Sequence, residues 1–132
     1  MKLIENVRAY RCVTEMMKES WSFSFIYPLI RLAAELKEDY ELFSREEMAL
    51  VARWGKKEAD GTVKVDENGC FTFADEKSRE AYYRSRKNLE ETERESPPPI
   101  ESEMPSFIRG EWLAALLPFC SFPEKEGRTT CE

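Results

Sequence analysis

"PLIRLAAELKEDYELFSREEMALVARWG", residues 28–55, carries the longest ordered pattern in the chain. Leu29, Ala33, Leu36, Tyr40, Phe43, Leu50 and Trp54 fall at alternating spacings of four and three, with Glu47 as the polar member of the series. Such a stripe lines one face of a helix and demands a helical partner along its length. Ser44-Arg45-Glu46-Glu47 has the S-x-x-E form of a capping box, which would start a new helix at Arg45. One helix over about 27–55, or two meeting at a kink near Ser44, would each satisfy the spacing. The phase is the same on both sides of Ser44, which favours the continuous helix. Proline fits a helix only in its first turn, so Pro28 sets the expected start between Phe25 and Pro28. Gly55 supplies the expected stop.

Upstream, Leu3, Val7, Tyr10, Val13 and Met17 line one face of a helix expected over 3–19. "ESWSFS", residues 19–24, reads as the connection. Trp21, Phe23, Phe25 and Tyr27 occur at every second position. They fit either a strand-like aromatic edge offered to a partner or a hydrophobic staple folded back onto the long helix, and the staple is favoured.

Downstream, "KVDENGCFTF", residues 64–73, raises the question of a metal loop. With Gly69 at the sixth position of a calcium loop, Lys64 would be the first ligand and Asp75 the twelfth: an ammonium, then a carboxylate one methylene short. Placing Gly61 there puts Lys56 first and fails in the same way. Alternation in Thr62-Val63-Lys64-Val65 and Cys70-Phe71-Thr72-Phe73 around Asn68-Gly69 instead predicts a β-hairpin, with the positive φ of its turn assigned to the glycine. Asp75 then caps a charged helix over about 76–94, in which Glu80 with Arg84 and Glu90 with Arg94 form i,i+4 pairs. "SPPP", residues 96–99, ends it.

Past the prolines the chain turns apolar. Phe107, Ile108, Trp112, Leu113, Leu116, Leu117, Phe119 and Phe122 form the candidate interface, with a short helix over Gly110 to Leu117 that must pack on the long helix or on another subunit. Residues 1–122 are expected to form a single domain, and residues 123–132 a disordered tail.

Composition narrows the chemistry. The chain has 132 residues, a net charge of −6 with both signs interleaved, and no histidine. Interleaved charge argues against a general nucleic-acid binder. The absence of histidine removes the usual general base, triads of the Ser-His-Asp type and His-ligated zinc. Cys12, Cys70, Cys120 and Cys131 show no C-x-x-C pair and read as free thiols, the first three as small packed hydrophobes. Glu35, Glu38 and Asp39, and the group Glu90, Glu91, Glu93 and Glu95, read as solvated helix faces rather than metal ligands. No phosphate loop or dinucleotide fingerprint is present. Neither a long apolar run nor a signal-peptide pattern occurs, so no membrane span is expected and a cytoplasmic setting is.

The order of elements in "LAAELKEDYELFSREEMALVARWG", "KEADGTVKVDENGCFTF", "REAYYRSRKNLEETE" and "WLAALLPFCSF" resembles that of a family of short proteins of tailed phages and prophages whose function is not known. The resemblance spans roughly residues 28–122, consists of pattern rather than catalytic motif, and implies a phage or prophage product made in a bacterial host. The expected fold is α+β and mostly helical: a long antiparallel helix pair joined by a β-hairpin, flanked by N-terminal and short C-terminal helices. The expected function is non-enzymatic: protein–protein contact accessory to virion assembly, with self-association into a homo-oligomer. The alternative is a regulatory module that binds a host protein. No cofactor is expected.

Overall fold

The computed structural model describes residues 1–122. The expectation for residues 123–132 lies outside them. Four helices dominate: α1 (Leu3–Met16), α2 (Phe23–Trp54), α3 (Glu76–Glu90) and α4 (Gly110–Leu116). Two short strands, β1 (Ile100–Glu101) and β2 (Cys120–Ser121), pair in parallel with Ile100 opposite Cys120. Among the described residues no helix is long and apolar enough to cross a membrane.

The quoted stripe forms one helix that runs through Ser44 without a break. Its capping-box glutamate is diverted, because Glu47 makes an ion pair with Arg86 of α3 and does not turn back on Ser44. The helix also begins earlier than Pro28 suggests, at Phe23. Proline in the second turn removes one backbone hydrogen bond. Burial of Phe25 and Leu29, 1% and 0% exposed, offsets that loss by roughly 1.5–3 kcal/mol per side chain. The buried Ser102 hydroxyl donates to the Phe25 carbonyl at 3.1 Å in the first turn.

α1 stops at Met16, where the Trp21 indole N–H donates to the Met16 carbonyl at 2.7 Å. Trp21 folds back, its ring centroid 5.0 Å from Phe25 and 5.9 Å from Trp112. Residues 23–27 are helical, so the every-second-residue aromatics make no strand-like edge.

The expected hairpin corrects the fold class in part. Between Gly55 and Phe73 there are only isolated antiparallel bridges, Gly55 with Phe73, Lys57 with Val63 and Val65 with Phe71, and the strands the structure does form are the parallel β1 and β2. Most side chains of residues 56–72 face solvent, so little apolar surface rewards a longer ladder. The segment is held by aromatic packing instead: Phe71 and Phe73 lie 5.4 and 5.3 Å from Tyr82. Gly69 takes the positive φ of the turn, +80°. The Asp66 carboxylate is used locally, accepting the N–H groups of Asn68 and Cys70 at 2.9 Å each. Gly55 is needed for a different reason from the one its place suggests. Its φ is −69°, but a Cβ there would sit 2.7 Å from the Val51 carbonyl oxygen and 3.0 Å from Val63.

α3 runs past α2 in the opposite order, with Phe73 bridged to Gly55, Arg86 paired to Glu47 and Leu89 packed near Phe43. It ends at Glu90, short of the expected 94, because the next residues leave the helix to pair with the start of the chain: Leu3 N–H donates to the Thr92 carbonyl and Arg94 N–H to the Met1 carbonyl, both at 2.8 Å. Its cap is as expected, the Asp75 carboxylate accepting from Ser78 N–H at 2.8 Å. The main core lies where α1, the first half of α2 and α4 meet.

Candidate contact surface

Two of the cysteines are held in a form that does not favour covalent chemistry. Burial pushes the Cys12 thiol up to about 12, with Cys120 and Glu111 adding to the effect, and burial alone pushes Cys120 up to about 11. Both stay protonated at neutral pH, and the thiolate is the nucleophile. The Cys12 thiol lies 3.6 Å from both the Met16 sulfur and the Trp112 carbonyl oxygen. Cys70 is exposed.

The carboxylates singled out from the sequence do converge. Glu35, Glu38 and Asp39 of α2 face Glu93, Arg94 and Glu95 across a cleft of about 580 Å³. Its one buried carboxylate is occupied: Asp39 accepts from Asn6 Nδ2 at 2.6 Å and from Arg94 Nε at 2.9 Å. The Asp39 hydrogen bond and charge in turn raise the pKa of Arg94 above its ordinary value. Glu90 points elsewhere, to Arg86 at 3.3 Å. Among the described residues no group of three or more His, Cys, Asp or Glu is placed to hold a metal ion.

The C-terminal apolar residues divide. Trp112, Leu116 and Phe119 belong to the core, at 6%, 0% and 3% exposed. Ile108 and Phe122 pack against its edge, and Leu113 is half-buried. Phe107 and Leu117 stay on the surface. The chain therefore uses most of this segment for its own packing.

A second apolar surface lies on α2. Phe23, Tyr27 and Ile30 are exposed at i, i+4 and i+7, and the exposed Ala34 follows one turn later. Phe23 is 74% exposed and stacks on Tyr27 with centroids 5.0 Å apart. This stripe is separate from the buried one formed by Phe25, Leu29, Leu32 and Leu36, so the first half of α2 is apolar on two faces and covered on one. One turn past Ala34 the exposed stripe reaches Glu38, at the acidic cleft. The alternation of Phe23 and Tyr27 with Trp21 and Phe25 favoured a staple folded back onto the helix over an exposed edge, and it left out Ile30. Starting the helix at Phe23 places Phe23, Tyr27 and Ile30 on one line.

Between α1 and the start of α4 opens a cleft of about 460 Å³. Cys12, Trp112 and Ala115 supply its apolar lining, and Arg8, Arg11 and Arg109 its cations. Arg109 lies over the Trp112 ring, 4.6 Å from the centroid, and Arg11 over Tyr40 at 5.6 Å. Nothing in the sequence pattern joined these arginines, since two sit on the first helix and one nearly a hundred positions later. No family model, curated protein or solved structure matches the chain.

Proposed function

We propose that this chain is a non-enzymatic protein of phage or prophage type, made in the bacterial cytoplasm, that acts by protein–protein contact and associates with itself as an accessory to virion assembly. The observation that carries the contact reading is the exposed Phe23–Tyr27–Ile30 line on a helix whose other apolar face is already buried. Exposed aromatics aligned on a rigid helix are the kind of anchor that protein interfaces use. The phage setting rests on the resemblance in element order. Neutral buried thiols and a carboxylate cleft whose buried member is already bonded support a non-catalytic role.

Light scattering on the full chain tests this reading. Association that is lost in a Phe23→Ser/Tyr27→Ser variant with an unchanged circular dichroism spectrum is the expected result. A monomer at high concentration, with no phage protein recovered by the chain from an infected lysate, would sink it. The second reading, a regulatory module aimed at a host protein, is favoured by the acidic cleft and the largely exposed α3. Recovery of a host protein from uninfected cells, lost on charge reversal in α3, would select it.

A further inference from the structure

The α1–α4 cleft and the outer face of α2 complement each other. The cleft pairs an apolar lining with three arginines, Arg8, Arg11 and Arg109. The α2 face pairs an apolar line, Tyr27, Ile30 and Ala34, with the exposed carboxylates of Glu35, next to Ala34, and Glu38, one turn further on. We propose that the cleft receives the outer face of α2 from a second copy of the chain, with the apolar line against Ala115 and the aliphatic stems of the arginines, and the two glutamates against their guanidinium groups. This rests on the contact reading of α2 and names what that helix meets.

Charge argues for this occupant. The chain is −6 overall, so a cluster of arginines is a local exception. Among the described residues neither Arg8 nor Arg11 is paired to a carboxylate, and Arg109 reaches Glu19 only at 3.6 Å. Of the two acids at the cleft, Glu15 is held by Lys18 at 3.1 Å, which leaves Glu111 as the opposing charge. The cleft therefore presents net positive charge around an apolar floor, a form suited to an amphipathic helix bearing acids. Docking face and cleft share no residue, so each copy can give its helix to one neighbour and its cleft to another. Such a contact builds a ring or an open filament when each copy engages two neighbours, and a two-fold dimer when two copies engage each other reciprocally.

Charge reversal with cross-rescue tests the proposal. Arg8→Glu/Arg109→Glu alters the cleft, and Glu35→Lys/Glu38→Lys alters the helix face; all four side chains are exposed, so the fold is expected to survive and is checked by circular dichroism. Each variant alone is expected to raise the apparent dissociation constant at least about tenfold in sedimentation velocity at low salt. An equimolar mixture is expected to re-associate, because the intact helix face of one variant meets the intact cleft of the other. Association that survives cleft reversal, or a mixture that stays monomeric, overturns the proposal. If cleft reversal changes nothing while Phe23→Ser/Tyr27→Ser dissociates the chain, this inference fails and the contact reading stands. A wild-type monomer under all conditions defeats both.

Discussion

Arg94 reaches Asp39 with two nitrogens on one oxygen, Nε and Nη2 lying 2.9 and 2.8 Å from Oδ1 across 55 positions of sequence. The other carboxylate oxygen accepts from Asn6 Nδ2 at 2.6 Å, and Asn6 is wholly buried. One carboxylate thus ties α1, α2 and the segment after α3 together. Asn6→Ala removes a buried donor and is expected to cost about 1–3 kcal/mol. Asn6→Asp sets a second carboxylate against Asp39, so one of the pair must hold its proton in the folded state. A carboxyl whose folded pKa is raised gives up stability as pH rises, and the Asn6→Asp loss is expected to be larger at neutral pH than at mildly acidic pH. Urea titrations at two pH values check this, and equal losses at both would reject the arrangement.

The Glu47–Arg86 pair joins α2 to α3, with both side chains about three-quarters buried, 25% and 29% exposed. Burial alone would lower the Arg86 pKa; the Tyr82 hydroxyl and the Glu47 and Glu90 carboxylates outweigh it and raise the value above the ordinary one. A double-mutant cycle with Glu47→Gln and Arg86→Met is expected to give a coupling energy of about 0.5–1.5 kcal/mol, reduced in high salt. No coupling would show that the two side chains act independently, and a coupling insensitive to salt would assign it to packing or to burial that excludes ions.

Glu47 also shows how far the sequence can be read. The spacing of Leu29, Leu36 and Phe43 located the long helix and its buried face, because a periodic apolar stripe records its own partner. Glu47 registered only as an intruder, since its reason is an arginine on another helix. Pro28 misplaced the helix start for the same kind of reason: local preference favours the first turn, and burial of Phe25 overrides it. The alternation around Asn68-Gly69 identified the turn correctly and overstated the strands, because the flanking residues are too exposed to hold a ladder. Trp112, Leu116 and Phe119 were legible as apolar, but their burial against α1 depends on a chain reversal that no local pattern encodes. The arginines of the α1–α4 cleft were invisible for that reason too.

Thiol reactivity offers a test of the core between α1 and β2. In a Cys131→Ser background, Cys70 is expected to react with an aromatic disulfide reagent at once at pH 8, and Cys12 and Cys120 only as the protein unfolds. The raised thiols also set an alkaline limit. From the ordinary value of 9.0 up to about 11 for Cys120 and about 12 for Cys12, the unfolded chain releases protons that the folded one retains. Stability is therefore complete below that window and falls through it, by up to about 1.4 kcal/mol per pH unit for each thiol. Cys12→Ala/Cys120→Ala is expected to flatten this alkaline slope in urea titrations, and an unchanged slope would contradict the burial.

Leu116 and Leu117 are adjacent and chemically identical, yet one is fully buried and the other 57% exposed. Leu116→Ala opens a cavity beside α1 and is expected to cost about 2–5 kcal/mol. Leu117→Ser is expected to stay within about 0.5 kcal/mol, as surface changes do. The contrast separates core from interface within the C-terminal segment. Were that segment a docking surface for another chain, Leu116→Ala would disperse an oligomer and leave the monomer's melting temperature alone. In the packing seen here it lowers the melting temperature of the monomer itself, and light scattering paired with a thermal melt of the two variants distinguishes the cases.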